Sequence, residues 1–364
     1  MSSTFPPTPA RPADLLRADI ASLPAYVPGE RPAHDRPVAK LSSNEMPFPP
    51  LPGVVEAVQA AVEDSGRYPD MAAVELTEAL AGRHGVAPDQ VVVGGGSTAV
   101  LETILRATCG PGDEVVAPWR SFEAYPIAVQ VTGASMVRVP LDPEGRHRLD
   151  AMADAVTDRT RVILLCSPNN PTGTALTRTE VAAFLEAVPP TVLVLLDEAY
   201  IDFVTAADPT DGPSLLPAHP NLVVLRTFSK AASLAGLRVG YALGHPEIVA
   251  GIRSASTPFG VSSPAQAAAL AALDADPEIR RRVAEVVAER ERLVAGLRGL
   301  GLEIPETQAN FVWLRLGDGA ASFADAAREV DLLVRPFAGD GVRISIGTRE
   351  NTDAVLALVA AQLG

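Results

Sequence analysis

Three observations predict an α/β fold: short apolar runs rich in Val, Ile and Leu recur along the chain, helical stretches separate most of them, and the runs are continuous rather than alternating in polarity. Strands buried on both faces read this way, as in a large, mostly parallel sheet with helices on both faces. Proline marks the beginning, with 12 of the 33 prolines in the first 52 residues. There a fixed φ and a missing N–H oppose helix and central strand alike, so residues 1 to about 50 are expected to form an irregular arm. Helices are predicted over 52–65 and 72–84. A strand over 91–93 runs into Gly94, Gly95 and Gly96, and a helix follows over 97–108. Further strands are predicted at 114–117, 135–139, 161–166, 191–196, 221–226 and 238–243. The pattern then changes. Helices over 264–273 and 277–300, the second long enough to bridge two bodies, lead into strands at 310–316, 332–335 and 342–346. Helices over 320–330 and 351–363 alternate with these strands, which makes a smaller α+β unit.

The chain has 364 residues, and 30 Lys plus Arg against 44 Asp plus Glu leave a net charge of −14. A nucleic-acid partner is disfavoured, because phosphate-backbone binders gather basic residues into a patch. The same charge disfavours an anionic membrane surface. With 47% hydrophobic and 20% charged residues, the composition is that of a globular protein able to bury a large core. Its length suggests about two domains. The two cysteines, Cys109 and Cys166, have neither metal-ligand spacing nor the density of a disulfide framework, which fits a reducing, cytoplasmic location. The first residues show no basic region followed by an apolar stretch, so no secretory signal is expected. The apolar runs are strand-sized, well short of the roughly 18 residues of a membrane helix.

Ligands of open α/β sheets gather beyond the carboxyl ends of the strands, so polar residues directly after apolar runs are the candidates. Four places qualify. The run ending at Cys166 gives way to Ser167-Pro-Asn-Asn-Pro-Thr-Gly173; the run ending at Leu196 gives way to Asp197-Glu-Ala-Tyr200. The run ending at Arg226 gives way to Thr227-Phe-Ser-Lys230, with Arg238 eight residues later, and the run ending at Val93 enters the glycine turn. Taken singly, each has a plain explanation: an Asp capping a helix, a lysine on the surface, good turn residues, a tight turn that needs glycine. Together they describe one cofactor. Pyridoxal phosphate needs a lysine amine for a Schiff base, a carboxylate against its pyridine nitrogen, and anion-binding groups for its phosphate. Lys230, Asp197, and Arg238 with the helix beginning near Ser97 would supply them.

Ser-Pro-Asn-Asn-Pro-Thr-Gly, Asp-Glu-Ala-Tyr, and Thr-Phe-Ser-Lys followed by Leu-Ala-Gly-Leu-Arg-Val-Gly-Tyr241 closely resemble the fold-type I pyridoxal-phosphate aminotransferases. The branch that they resemble is that of the histidinol-phosphate and aromatic amino acid aminotransferases. The resemblance runs from about Tyr26 to the C-terminus. It implies an N-terminal arm (1–44) joining a small domain, a large cofactor-binding domain (45–262) and the small C-terminal domain (263–364).

The resemblance also implies roles. Lys230 would hold the cofactor and move the proton from the substrate Cα, which requires its pKa to fall toward neutrality. Asp197 would stay ionised and keep the pyridine nitrogen protonated, while Tyr200 and Asn170 would share the ring oxygen. Thr227, Ser229, Arg238, Gly96, Ser97 and Thr98 would cradle the phosphate. Phe122 stands where the family stacks an aromatic on the ring, and a core aromatic is the equal alternative. Tyr68 resembles the tyrosine that reaches the phosphate of a neighbouring subunit, which would make an obligatory homodimer with shared active sites; a tyrosine in a turn beside Pro69 is the alternative. Arg343 matches the arginine that grips the substrate α-carboxylate with both nitrogens. Tyr26 and Asn44 resemble substrate-lining positions, and Arg335 a second arginine near the substrate tail. Two departures stand out: Gly94 to Ala99 has no acidic residue, and Met46 replaces a common asparagine in the arm.

The expected substrates are a small-molecule amino acid and a 2-oxo acid. The segments 119–126 and 334–343 resemble the aromatic amino acid branch of actinobacteria. Transfer between phenylalanine or tyrosine and 2-oxoglutarate is therefore favoured. A histidinol-phosphate aminotransferase is the alternative, and a decarboxylase on the same scaffold a more distant one.

Overall fold

The continuous Val/Ile/Leu runs are buried on both sides because successive side chains enter two different cores. A computed structural model describes residues 15–23 and 38–363. Its strands, in chain order, are β1 (Ala39–Lys40), β2 (Val91–Gly94), β3 (Glu114–Trp119), β4 (Ser135–Pro140), β5 (Thr160–Cys166), β6 (Leu193–Asp197), β7 (Leu222–Thr227), β8 (Gly240–Gly244), β9 (Phe311–Leu314), β10 (Leu332–Leu333), β11 (Arg335–Phe337) and β12 (Gly341–Ser345). Seven form one sheet in the order β2-β8-β7-β6-β5-β3-β4. All neighbours in it run parallel except β8, which is antiparallel to β2 and β7. Along β5, Ile163 and Leu165 pack into one core and Val162, Leu164 and Cys166 into the other; β6 alternates in the same way, with Val194 and Leu196 against Leu193 and Leu195. The two-residue side-chain period of a strand is thus kept, and helices on both faces hide it from the sequence.

Register fixes where the chemistry falls. Cys166 pairs with Asp197, and Asp197 with Leu225, so the carboxyl ends of β5, β6 and β7 emerge together. Glu198, whose side chain is fully buried, ties the end of β6 to β7 and to the loop at 210–212: it accepts from Arg226 at 2.7 Å, and from the Thr210 hydroxyl and the Gly212 amide at 2.8 Å each.

The smaller sheet has the antiparallel order β11-β12-β9. Its core includes Phe311, Val312, Phe323 and Ile344, packed with Val286, Leu293 and Leu297 of the 24-residue helix Asp276–Gly299. Ile279 near the start of this helix touches both this core and one core of the large sheet, which is the bridging expected of it. The helix Ser263–Asp274 buries Ala265, Ala268, Ala269 and Ala272 in the large-sheet core.

Two expectations are corrected. The run 332–335 is not one strand: Leu332–Leu333 pairs in parallel with Ala39–Lys40, and Arg335–Phe337 pairs antiparallel with β12. The chain changes partner at Val334, and Pro336, which has no N–H to donate, lies in an edge strand where none is required. The first 50 residues are not wholly irregular, since β1 ties them to β10 and Ala18–Ala21 makes one helical turn. Among the described residues no helix is long and apolar enough to cross a membrane.

Candidate active site

A cavity of about 270 Å³ opens at the carboxyl ends of β5, β6 and β7. Asp197 ends β6 and is buried; its Oδ2 accepts from the Tyr125 hydroxyl at 2.8 Å and its Oδ1 from the Ala199 amide at 3.1 Å. Burial raises its pKa to about 6, while those two donors and Lys230 oppose the rise. The carboxylate therefore keeps its charge at pH 7. Tyr125 has no exposed surface, and burial pushes its own pKa well up, so it remains a hydrogen-bond donor.

Lys230 follows β7 in a short turn closed by the Ser229 amide donating to Thr227 Oγ1 at 3.0 Å. Its Nζ donates to the Ser43 carbonyl at 3.0 Å and lies 5.5 Å from the centre of the Tyr200 ring. Burial lowers its pKa to about 7; Arg343, Arg238 and Lys40 lower it further and Glu45 opposes them. Near neutrality a large share of this amine is uncharged.

An anion cradle lies beside it. Gly94-Gly95-Gly96 turns β2 into the helix Ser97–Thr108, and Gly96, the N-cap at φ 94°, offers no capping side chain to the first amides. Those N–H groups remain available to an anion. Ser97, Thr98, Thr227, Ser229 and Arg238 line the wall here. Gly96 lies behind Arg238 rather than on the wall, and a Cβ there would collide with the guanidinium. Gly240 serves the same packing: a Cβ on it would strike the Ser97 amide and come within 2.9 Å of the Gly96 carbonyl carbon.

The opposite wall comes from the smaller sheet and the arm. Arg343 on β12 is buried and donates from Nη1 to Asn170 Oδ1 at 2.5 Å and from Nη2 to the Ser42 carbonyl at 2.6 Å. Asn170 is presented by a locked loop, in which buried Asn169 accepts from Ser121 at 2.7 Å and donates to Thr172 at 2.8 Å. Asn44 donates from Nδ2 to the Tyr200 hydroxyl at 2.9 Å. It is held at φ 55° by Ser345 and Asn310, which bond its side chain and backbone. Burial raises the Tyr200 pKa, with Arg343 and Asn44 opposing. Arg335 lines the same wall and donates to Glu123 at 2.7 Å. Phe122 lines the cavity and packs edge-on against Tyr125, 5.5 Å between ring centres.

Besides Gly96, Tyr68 is a sequence-predicted residue that does not line this cavity. Tyr68 is 82% exposed and stacks on Phe259 at 4.6 Å, and Tyr26 lies outside the described residues. The sequence reading missed Tyr125, Glu123, Cys166 and the carbonyls of Ser42 and Ser43. Tyr125 stands three residues after Phe122, in the turn that opens the helix Ala124–Thr132, where its amide donates to the Phe122 carbonyl at 2.9 Å.

The comparisons with known proteins agree with this geometry. Residues 36–359 match the model of the family "Aminotransferase class I and II". An aromatic amino acid aminotransferase of Streptomyces avermitilis is 53% identical over 94% of this chain and 95% of its own, and one of Corynebacterium glutamicum is 50% identical over 94% and 97%. Among solved structures, the histidinol-phosphate aminotransferase of Sinorhizobium meliloti in complex with pyridoxal-5'-phosphate superposes with a TM-score of 0.86 at 30% identity, covering 95% of this chain and 96% of that one. A tetra mutant of the aspartate aminotransferase of Thermus thermophilus shares the fold, with a TM-score of 0.80 at 24% identity, covering 95% of this chain and 99% of that one. The residues here fit pyridoxal phosphate: an amine near neutrality, a buried carboxylate, and a phosphate cradle whose Arg238 guanidinium and helix start pack too closely on Gly96 and Gly240 to admit a Cβ at either. With a family match spanning most of its length and a site of this composition at the strand ends, the chain belongs to the class I and II aminotransferases, on the fold-type I scaffold.

Proposed function

We propose that the protein moves the amino group between an aromatic amino acid, phenylalanine or tyrosine, and 2-oxoglutarate, using pyridoxal phosphate. The observation that carries the chemistry is the convergence of Lys230, Asp197, the helix start at Ser97 and Arg343 on one cavity. The substrate class rests on relatives of about 50% identity over 94% of the chain that bear the aromatic name.

When bound, the cofactor supplies an electron sink for the charge that builds at the substrate Cα. The protein's own groups do the rest. Asp197 would keep a proton on the pyridine nitrogen, and its burial would keep water from competing for that contact. Tyr200, already accepting from Asn44, would donate its hydroxyl to the ring oxygen, with Asn170 as a second donor. Phe122 would lie against the ring. Thr227, Ser229, Arg238 and the amides after Gly96 would hold the phosphate. Lys230 Nζ would take the proton from the substrate Cα, and a pKa of about 7 suits an amine that must both accept and return it. Arg343 grips the α-carboxylate.

The same reading includes a cytoplasmic homodimer with shared sites. Tyr68 would reach the partner's phosphate, which its 82% exposure allows. Both cysteines are free thiols, as a reducing compartment would leave them. The same reading takes the arm as 1–44, the large domain as 45–262 and the small domain as 263–364, whose first helix, Ser263–Asp274, packs its alanines into the large-sheet core.

The test is the visible absorption spectrum of the cofactor-loaded protein. Phenylalanine should remove the band of lysine-bound cofactor and 2-oxoglutarate should restore it, while Lys230→Ala should abolish turnover. Because the Sinorhizobium neighbour is a histidinol-phosphate enzyme, histidinol phosphate belongs in the panel. A response to it without one to phenylalanine would transfer the assignment to that substrate, and near-normal turnover by the Lys230 variant would sink the mechanism.

A further inference from the structure

Resting on the reading above, one cavity must accept two dissimilar tails, an uncharged aromatic ring and the distal carboxylate of glutamate or 2-oxoglutarate. Arg335 stands where that difference is felt. It lies directly across the β11–β12 pair from Arg343, so the two side chains leave the same face of the sheet about 5 Å apart. Both guanidinium groups flank the ring of Phe337, at 5.6 and 5.8 Å from its centre. Phe337 itself is buried, whereas Arg335 and Arg343 both line the cavity, so a substrate held through its α-carboxylate by Arg343 can place its tail at Arg335 without leaving it.

For a dicarboxylic partner a cation there is useful. For phenylalanine it is costly, because a guanidinium only 11% exposed at the side chain would be covered by a ring that cannot compensate its charge. Glu123 answers this. Its carboxylate accepts from Arg335 Nη2 at 2.7 Å, and it faces the same cavity. At 29% side-chain exposure it retains access to water, so it can give up Arg335 to an arriving carboxylate at modest cost.

The geometry points to Glu123 as the specificity-determining residue for the substrate tail: it neutralises Arg335 while an aromatic side chain is bound and yields it to the distal carboxylate of the dicarboxylic partner. Phe122 and Tyr125, on either side of it in sequence, serve the cofactor, so one short segment sets both ring contact and tail charge.

The experiment uses the cofactor-loaded enzyme and two unreactive acids without an amino group, glutarate and 3-phenylpropionate, with dissociation constants measured by calorimetry. Glu123→Gln should shift the ratio of the two constants about tenfold toward glutarate, the size of one charge-assisted hydrogen bond. In an Arg335→Gln background the same substitution should leave the ratio unmoved, because the group it acts on is gone. A ratio within about twofold of wild type after Glu123→Gln, or an equal shift in the Arg335→Gln background, would overturn the role of Glu123 in an enzyme that turns over phenylalanine. A wild-type enzyme that turns over only histidinol phosphate would instead remove the substrate reading, and this inference with it.

Discussion

Lys230 is held in a state that no exposed lysine reaches. Burial takes most of the credit for bringing its pKa to about 7, and the Arg343 guanidinium adds to it. The sign of the effect gives a measurable consequence. Below pH 7 the amine is protonated and cannot attack the aldehyde carbon of the cofactor; as pH rises through 7 the neutral fraction approaches one. The rate of cofactor capture by the apoprotein should therefore climb with pH and level off shortly above 7, whereas an ordinary lysine would keep gaining up to about 10.5. Stopped-flow absorbance across pH 5.5–10 reads this directly, and a rate still climbing tenfold per unit at pH 9 would show that Lys230 is not depressed. Asp197 sets the opposite boundary. Tyr125 and the Ala199 amide offset part of its burial, which leaves it charged where Lys230 becomes neutral. At this scale the sequence named Lys230, Asp197 and Arg343 because each follows a recognisable motif. It did not reveal Tyr125 or Glu123, whose importance lies in contacts to residues 72 and 212 positions away.

Among the elements, the helix Ser97–Thr108 came out of the sequence with both ends correct, because a glycine turn and an amphipathic pattern are local signals. The split of 332–335 between two sheets was not legible, since it depends on partners at Ala39–Lys40 and Gly341–Ser345. The closeness of β8 to the start of that helix is likewise invisible until the sheet order is known. Gly240 makes it possible: any Cβ would drive into the Ser97 amide. Gly240→Ala must move either β8 or the helix start, and the moved amides are those assigned to the phosphate. The variant should lose about 1–3 kcal/mol of stability through overpacking and bind pyridoxal phosphate at least about tenfold more weakly. A spectral titration together with thermal unfolding checks both, and unchanged cofactor affinity would show that the helix start is not the phosphate site.

For the whole molecule, the outlier is Tyr68. Among the described residues assigned to the cofactor it is the one left exposed outside its own cavity, and it stacks on Phe259, itself 42% exposed. An exposed aromatic pair suits an interface, and a two-fold arrangement would return the same pair from a second copy to the first site. Sharing of that sort can be tested by complementation. A Lys230→Ala subunit cannot hold cofactor covalently but still offers its Tyr68, and a Tyr68→Ala subunit keeps its Lys230 but donates no tyrosine. When the two are unfolded together and refolded at equal amounts, half of the dimers are mixed, and each mixed dimer contains one site with both groups intact. Activity should then reach roughly a quarter of wild type per site, well above either variant refolded alone. If Tyr68 acted within its own subunit, the intact lysine and the intact tyrosine would never meet in the mixed dimer, and refolding the variants together would restore nothing.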